Sequence, residues 1–350
     1  MIHFEPLTLS MRREYTEILL RGKERGCEYS FANLYLWGRQ RVARVQGYYV
    51  FFSQFDRRTV YPFPVGEGAI RPVLETIMED ARERGIPCRI TGMSEEQCRL
   101  LDELYPGKWR IHCDRDSYDY VYAIEDLAEL KGRKFQKKRN HLNKFRAAHP
   151  DCTAVPITQE NMEAVREMTR QWYIWKQEQE PTMDLHMERS ALQKALDHMQ
   201  ELDMEAMALM EEGKVIAITL GSRLSRDIFD IHFEKAFGSV DGAYTAINYE
   251  FSRYLRDKYP EVQFLNREDD LGLEGLRKAK LSYNPHHLTE KCWGCLLTPF
   301  GKSVMPILES VAGDSDTFSM FLYASVLAPV WEELLFRGYL LRTLRPISKA

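Results

Sequence analysis

Apolar and polar residues alternate with a period of two along several short stretches of the chain. Residues 41–46 and 48–53 follow this pattern on either side of Gly47, which predicts two paired strands joined by a tight turn. Residues 118–123 alternate tyrosines with other residues and predict a further strand. Helical spacing follows the first two strands: residues 72–84 repeat apolar positions every three or four residues up to Gly85.

Ser94, followed three residues later by Gln97, predicts a capped helix over 94–104. The second half of the chain has a similar order of elements, with a hairpin turn at Glu212-Gly213. Predicted strands are 204–210, 214–221, 227–234 and 262–265, and predicted helices are 159–176, 187–200 and 242–259. Strands interleaved with helices predict the α/β class.

A chain of 350 residues exceeds the usual size of one domain, which predicts at least two units. Pro150 and Asp151 interrupt a helical pattern and indicate a boundary. We predict an N-terminal unit over 1–130, a basic helix over 131–149, a C-terminal unit over 150–298 and a tail over 299–350.

Charge changes this picture at one place. The formal net charge is −4, yet residues 131–146 contain no acidic residue and read KGRKFQKKRNHLNKFR. Phe135, Leu142 and Phe145 predict the buried face of this helix. Its cations are then expected to project outward: Lys134, Lys137, Lys138, Lys144 and part of Arg139. Such a field attracts phosphate-bearing partners, although a solvated helix face has the same composition.

Seven irregularly spaced cysteines fit free thiols in a reducing compartment, and the first residues lack the pattern of a secretory signal. We therefore expect a cytoplasmic protein. Cys292 and Cys295 form one CxxC pair, but no second pair completes a zinc site, so no metal is predicted.

Three longer motifs carry a family resemblance. They are LKGRKFQKKRNHLNKF from Leu130, HFEKAFGSVDGAYTAINYEF from His232 and LNREDDLGLEGLRKAKLSYNP from Leu265. Over 29–291 the chain resembles the family related to the C-terminal catalytic domain of phosphatidylglycerol lysyltransferase, and the nearest match is a soluble branch. That family is built from tandem acetyltransferase-like (GNAT-like) units and is similar to the Fem aminoacyltransferases. The resemblance implies two GNAT-like units with mixed sheets, followed here by an apolar C-terminal helix.

The second motif supplies residues from a strand and from a helix start. Alternation along the strand places His232 and Glu234 on one face and Lys235 on the other. Gly242 and Ala243 open a helix, where backbone N–H groups can approach an anion. A close-packed helix start without a ligand is the alternative.

The third motif follows a buried strand, a place where α/β folds bind ligands. Glu268 and Asp269 could hold the amino group of an aminoacyl donor or act as general base, or the loop is simply ion-paired through Arg267. The family's Lys-x-Lys segment resembles Lys278 to Lys280, which implies that Lys280 stabilises an oxyanion or a donor phosphate.

We predict a transferase that moves an acyl or aminoacyl group from aminoacyl-tRNA or acyl-CoA to an amine or hydroxyl, with anionic lipid among the candidate partners. No tightly bound cofactor is expected. Alternatives are a non-catalytic module that binds RNA or anionic lipid, and part of an intramembrane protease. The candidate catalytic residues are Lys280, Glu234, Glu268, Asp269 and His232, and the candidate binding residues are Lys137, Lys138, Arg139, Lys235, Gly242, Ala243, Asn266, Arg267 and Lys278.

The C-terminal segment has a different character. Residues 317–331 are almost uninterrupted apolar sequence, shorter than the ~20 residues that span a bilayer. Glu332, Glu333 and Arg337 follow and resemble the Glu-Glu-x-x-x-Arg motif of the CPBP (CAAX-processing type) intramembrane metalloproteases, which also use later histidines. Because no histidine follows His287, we predict an inactive protease-like fragment that contacts a membrane through 317–344, or a short helix docked on the main body.

Overall fold

A computed structural model describes residues 1–22, 25–37, 40–55, 58–180 and 185–297. The predictions for the tail, including Glu332, Glu333 and Arg337, lie outside the described residues. Within those residues, every helix is too short or too polar to traverse a bilayer.

The described residues form fourteen strands, which make two seven-stranded sheets. In chain order the strands are β1 Glu5–Pro6, β2 Gln40–Val45, β3 Tyr48–Phe55, β4 Arg58–Pro62, β5 Arg89–Met93, β6 Trp109–Cys113, β7 Asp119–Ala123, β8 Thr153–Pro156, β9 Glu205–Glu211, β10 Lys214–Arg223, β11 Ile228–Ala236, β12 Phe264–Asn266, β13 His287–Thr289 and β14 Cys292–Leu296. The first sheet has the order β1-β2-β3-β4-β5-β14-β6, and the second has the order β13-β7-β12-β11-β10-β9-β8. Each sheet contains parallel and antiparallel pairs, so the predicted α/β class with mixed sheets is confirmed.

Helices cover the sheets. In the described part of the chain they are α1 Arg12–Arg21, α2 Phe31–Leu36, α3 Ile70–Arg84, α4 Glu95–Leu104, α5 Ile124–Glu129, α6 Gln136–Ala148, α7 Met162–Gln179, α8 His186–Asp197, α9 Ala243–Lys258 and α10 Glu274–Leu281. Local sequence sets several ends as predicted. Ser94 and Gln97 form a reciprocal capping box at α4, and α3 ends at Gly85 in the left-handed conformation.

The second sheet is buried on both faces. Along β9, Ala206 and Ala208 pack into a core shared with α7, α8 and the first sheet, whereas Met207 and Leu209 pack into a core with α5, α6 and α9. The predicted basic helix is α6. Its apolar residues Phe135, Leu142 and Phe145 lie in this second core, which confirms the predicted inward face.

Two strands lie in the sheet opposite to the one that the predicted units would give them. β7 precedes residue 130 but lies in the second sheet between β13 and β12, while β14 lies in the first sheet between β5 and β6. The division into units 1–130 and 150–298 stays a prediction, and these two strands cross it.

Cys113 of β6 and Cys292 of β14 are register partners and form a disulfide across a sequence separation of 179 residues. The prediction that all seven cysteines are free thiols is therefore wrong for this pair. Spacing along the chain could not show it, because strand pairing brings the two residues together. The free thiols are Cys27, Cys88, Cys98, Cys152 and Cys295.

Candidate functional site

The candidate site is built on the loop that follows β12. Asn266 is fully buried, and its Nδ2 donates to Asp119 Oδ2 over 2.9 Å while its Oδ1 accepts from Glu268 N over 2.8 Å. Glu268 has a left-handed φ of 57°. The loop continues to pair with β7, through Arg267 N to Tyr120 O and Tyr120 N to Glu268 O. The loop backbone is therefore fixed, and the side chains of Arg267 and Glu268 reach different partners.

Lys280 of α10 fastens the same loop. Its ammonium donates to the carbonyl oxygens of Arg267, Glu268 and Asp269, at 3.1 Å in the case of Glu268. An ammonium has three N–H donors, and three backbone carbonyl oxygens accept hydrogen bonds from Lys280. Burial and the nearby Arg267 charge lower its pKa. These contacts give Lys280 a positioning function, and its contact with an oxyanion stays a prediction.

Carboxylates gather on one side of the loop around Lys291, the residue before β14. Lys291 Nζ lies 2.7 Å from Asp119 Oδ1, 3.3 Å from Glu28 Oε2 and 3.9 Å from Asp269 Oδ2. Cys27 N also donates to Asp119 over 2.7 Å. One ammonium thus faces three carboxylates. Burial raises the pKa of Glu28 to about 7 and that of Asp269 to about 6, because Lys291 offsets the burial only in part.

A second acidic group lies beside the first. His232 Nδ1 is 3.4 Å from Glu268 Oε1 and 3.5 Å from Asp230 Oδ2, and its Nε2 is 2.8 Å from Ser222 Oγ. Asn33 Nδ2 donates to Glu268 Oε1 over 2.9 Å. Among the described residues, no lysine or arginine side chain bonds to the carboxylate of Asp230 or of Glu268. Asp230 is fully buried, and burial with the neighbouring Glu268 charge raises its pKa.

Several buried oxygens here accept no hydrogen bond from any described residue. They are Asp230 Oδ1, Asn33 Oδ1 and Glu28 Oε1, whereas Glu28 Oε2 lies 3.3 Å from the Lys291 ammonium. Buried acceptors without donors cost free energy. A ligand that supplies N–H donors and positive charge would therefore be stabilised. We call Glu28, Asn33, Asp230, His232 and Glu268 the acidic pocket.

Cationic side chains gather on the other side of the loop. Arg267 Nη2 donates to Glu234 Oε1 over 2.7 Å, and its guanidinium carbon lies 4.8 Å from the centroid of the Tyr283 ring. Lys138 Nζ lies 3.4 Å from the centroid of the same ring. The Arg267 side chain is only 12% exposed, yet its Nη1 has no acceptor among the described residues. We call Lys138, Arg267 and Tyr283 the cationic cradle, and it is suited to an anion.

The prediction that Lys138 projects outward with the other cations of the basic helix is wrong. Its ammonium turns inward over Tyr283, and burial together with Arg267 lowers the pKa of Lys138 to about 8. Lys137 is exposed, as predicted. Arg139 donates to the backbone carbonyl oxygens of Leu130 and Gly132, at 2.6 Å for Gly132, and so holds the turn before α6.

The prediction that His232 and Glu234 share a face is also wrong. The register between β10 and β11 skips His232, and this irregularity breaks the alternation. His232 joins the acidic pocket, whereas Glu234 contacts Arg267 and Asn248 of α9. Lys235 lies apart from both groups, with its ammonium bonded to Glu188 and 4.2 Å from the Trp172 ring.

The start of α9 is close-packed. A Cβ at Gly242 would lie 2.5 Å from the carbonyl oxygen of His141 in α6, and Ala243 is fully buried. The close approach of two helices thus accounts for glycine at this position. An anion contact at Gly242 and Ala243 stays a prediction, as does a ligand contact of the exposed Lys278.

Sequence analysis missed five residues that the structure places in or beside the acidic pocket. For Asp119 and Asp230 a signal existed, because each is an acidic residue within an apolar strand. The other three gave no local signal: Glu28, Asn33 and Lys291.

Two groups of side chains have potential metal ligands within 4.8 Å of one another: Cys27 with Glu28 and Asp119, and Asp230 with His232 and Glu268. In the first group the Lys291 ammonium already lies against Asp119. The prediction of no metal stays a prediction.

Residues 21–295 match the family described as phosphatidylglycerol lysyltransferase, C-terminal, and residues 314–350 match the family described as type II CAAX prenyl endopeptidase Rce1-like. Among curated proteins, an uncharacterized protein of Mycoplasmoides gallisepticum is 23% identical over 177 residues, which are 50% of this chain. The aligned part spans 55% of the length of that relative.

A conserved protein of unknown function from Bacteroides thetaiotaomicron has a TM-score of 0.79 and 36% identity, covering 85% of this chain and 100% of its own. The C-terminal domain of a putative lysylphosphatidylglycerol synthetase from Agrobacterium fabrum has a TM-score of 0.61 and 13% identity, with 87% and 96% covered. FemX has the same fold with a TM-score of 0.57 and 11% identity, with 88% and 100% covered. The chain therefore belongs to the family of the phosphatidylglycerol lysyltransferase C-terminal domain.

Proposed function

We propose that this protein transfers an aminoacyl group from an activated ester to an amine or hydroxyl acceptor. Membership in the family supports aminoacyl transfer as the class of function. One observation carries the proposal: consecutive residues Arg267 and Glu268 belong to the cationic cradle and the acidic pocket, respectively. A substrate with an amine near a phosphate fits this pair of subsites.

Aminoacyl-tRNA has both groups, and this favours it over simple acyl-CoA thioesters, whose acyl group has no amine. The protonated amino group would enter the acidic pocket and donate to the free oxygens of Asp230 and Asn33. A phosphate of the terminal nucleotides would lie in the cationic cradle against Arg267 Nη1 and Lys138.

Transfer needs a base for the acceptor and a fixed geometry at the ester. The nitrogen or oxygen of the acceptor attacks the ester carbonyl and loses a proton, and the ribose oxygen leaves with a proton. We assign the base to Asp269, because burial raises its pKa to about 6, close to neutral pH. Lys280 positions this residue through the loop carbonyl oxygens.

The test is transfer of labelled amino acids from a pool of aminoacyl-tRNAs to a soluble amine and to extracted lipids. We expect Arg267→Lys and Asp230→Asn to lower kcat/KM by about tenfold or more, because each removes a charge-assisted contact. Lys144→Ala is the control, since Lys144 is an exposed cation of the basic helix and belongs to neither the acidic pocket nor the cationic cradle. Binding of aminoacyl-tRNA without any transfer would contradict the proposal and favour a non-catalytic module.

A further inference from the structure

Three side chains of the acidic pocket, those of Asp230, His232 and Glu268, lie close together. His232 Nδ1 is 3.5 Å from Asp230 Oδ2 and 3.4 Å from Glu268 Oε1, and the three ligand atoms all lie within 4.8 Å of one another. The side chains of Asp230 and His232 are 0% and 1% exposed, so the fold holds these atoms together away from bulk water. We call these three residues the His-carboxylate group.

The spacing of these atoms favours one class of metal ion. Zn²⁺ binds histidine nitrogen and carboxylate oxygen at about 2.0–2.2 Å in tetrahedral geometry, which places two of its ligand atoms about 3.4 Å apart. Octahedral Mg²⁺, with bonds of about 2.1 Å, brings neighbouring ligands to about 3.0 Å, and both Mg²⁺ and Ca²⁺ prefer oxygen ligands. The observed separations of 3.4 and 3.5 Å, both measured from an imidazole nitrogen, therefore favour a transition-metal ion such as Zn²⁺.

Hydrogen bonds behind the His-carboxylate group already orient its side chains. Ser222 Oγ lies 2.8 Å from His232 Nε2, while Nδ1 is the nitrogen that faces the carboxylates. When Nε2 donates to Ser222, Nδ1 presents its lone pair to a cation. Asn33 Nδ2 donates to Glu268 Oε1 over 2.9 Å. Metal-binding histidines and carboxylates have partners of this kind, which fix their orientation.

Buried oxygens in the pocket point to a cation independently of this spacing. Asp230 is fully buried, and its Oδ1 accepts no hydrogen bond within the described part of the chain. Asn33 is only 7% exposed and points into the group, with Nδ2 3.5 Å from Asp230 Oδ2, yet its Oδ1 has no donor among the described residues. A buried carboxylate that lacks donors and a cation costs free energy, and a metal ion would offset that cost.

The other group of potential metal ligands, Cys27 with Glu28 and Asp119, is less suited to a metal. The Lys291 ammonium lies 2.7 Å from Asp119 Oδ1 and 3.5 Å from Cys27 Sγ. It supplies there the positive charge that a metal ion would bring. The sequence prediction of no metal considered the CxxC pair, which belongs to neither group.

We propose that Asp230 Oδ2, His232 Nδ1 and Glu268 Oε1 bind a divalent transition-metal ion of the Zn²⁺ type. With three protein ligands, one tetrahedral position stays open to water. The ion would also exclude the aminoacyl donor. The protonated amino group assigned to Asp230 Oδ1 would share one carboxylate with a dication, and like charges at that separation repel. This exclusion rests on the proposed function, whereas the metal site does not.

The experiment titrates the full chain, first freed of metal with a chelator, with ZnCl₂ in a calorimeter. Asp230→Asn and His232→Ala should each weaken Zn²⁺ binding by about 100-fold or more, because losing even a partner behind a metal ligand costs about 10–100-fold. Ser222→Ala retains all three ligands and should weaken binding by about tenfold. His286→Ala is the matched control, since the exposed His286 and His287 offer a rival pair of nitrogens 2.9 Å apart. It should bind within about twofold of wild type.

Equal Zn²⁺ binding by wild type, Asp230→Asn and His232→Ala would overturn the proposal, because another part of the chain would then hold the ion. An absence of saturable binding to wild type would overturn it as well. If both variants unfold at lower temperature than wild type, Ser222→Ala decides the question, and undiminished binding there refutes the site.

The absorption spectrum of bound Co²⁺ reports the ligands directly. A thiolate-to-cobalt charge-transfer band would place the ion at Cys27 and overturn the assignment. A d–d spectrum without that band, lost in Asp230→Asn, supports it.

Transfer assays with and without Zn²⁺ test the exclusion. At about ten times its dissociation constant, competing Zn²⁺ should raise KM for aminoacyl-tRNA about tenfold and leave kcat unchanged. An unchanged KM or a raised kcat would overturn the exclusion.

Arg267→Lys separates this inference from the proposed function, because it should lower transfer and retain Zn²⁺ binding. Zn²⁺ binding at the His-carboxylate group of a wild-type protein that transfers nothing would refute the function and leave the metal site. Transfer by a protein that does not bind Zn²⁺ would do the reverse.

Discussion

Lys138 illustrates how burial can prepare a single residue for a ligand, since no acidic side chain in the described part of the chain forms an ion pair with its ammonium. Its ammonium lies on the Tyr283 ring beside the unsatisfied Nη1 of Arg267. An anion between these groups would offset the burial of both cations, and the lowered pKa of Lys138 gives this idea a pH dependence.

We predict that sulfate, whose charge is constant near neutral pH, binds more weakly as the pH rises from 7 through the Lys138 pKa of about 8. Lys138→Arg should remove this dependence, because arginine stays protonated. Calorimetry at pH 7 and pH 9 measures the sulfate affinity of the wild type and of the variant.

The pKa of Lys138 in the folded protein also lies below the unfolded value of 10.5. The Lys138 contribution to the free energy of unfolding should therefore rise with pH between about 8 and 10.5, and Lys138→Met should abolish that rise.

At Gly242, both the backbone conformation and the close approach of a neighbouring helix favour glycine. Its φ is 83°, and a Cβ would lie 2.5 Å from the His141 carbonyl oxygen. Gly242→Ala should lower the free energy of unfolding by about 2–4 kcal/mol, measured by urea denaturation. Gly213→Ala is the control, because Gly213 has a similar φ of 75° with nothing within 4 Å of an added Cβ. Equal losses in the two variants would show that the contact with α6 contributes nothing.

At the scale of elements, Lys291 connects structures that are distant in sequence. It precedes β14 of the first sheet and pairs with Asp119, the first residue of β7 in the second sheet. Two strands from different sheets therefore meet through one ion pair beside the site.

We predict that Lys291→Met lowers the free energy of unfolding by about 3–5 kcal/mol, because it leaves buried carboxylates without a cation. Asp119→Asn in the same chain should recover part of this loss, measured as a double-mutant cycle. Lys144→Met, at an exposed position, should change stability by at most about 0.5 kcal/mol. A loss from Lys291→Met no larger than that would contradict the assigned pairing.

Elements with local signals could be predicted from sequence. The turn at Gly47, the capping box at Ser94 and the Glu212-Gly213 hairpin depend on neighbouring residues, and the structure contains all three. The predicted elements of the second half differ from the observed ones by no more than three residues at either end.

The acidic pocket could be predicted only in part. The sequence motifs identified the loop residue Glu268 and the strand residue His232 as candidate site residues. Asn33 reaches Glu268 across 235 residues, and Lys291 reaches Cys27 across 264 residues. No period or spacing along the chain encodes such contacts, because the order of strands in the two sheets creates them.

At the scale of the whole molecule, the Cys113–Cys292 disulfide ties β6 to β14. We predict that the unfolded, unreduced protein exposes five thiols to a thiol-reactive dye, and seven after reduction. Thermal unfolding should also occur at lower temperature in reductant, because the link restricts the unfolded chain. Cys113→Ser should make the transition insensitive to reductant, and seven thiols before reduction would refute the pairing.

The exchange of β7 and β14 has a consequence for dissection of the chain by gene truncation. A fragment that stops at residue 130 would contain β7 without its neighbours β12 and β13, and it would lack the strand β14 that lies between β5 and β6. The complementary fragment would have the opposite defect. Neither fragment contains all the strands of either sheet. Co-expression of both fragments supplies every strand of the two sheets.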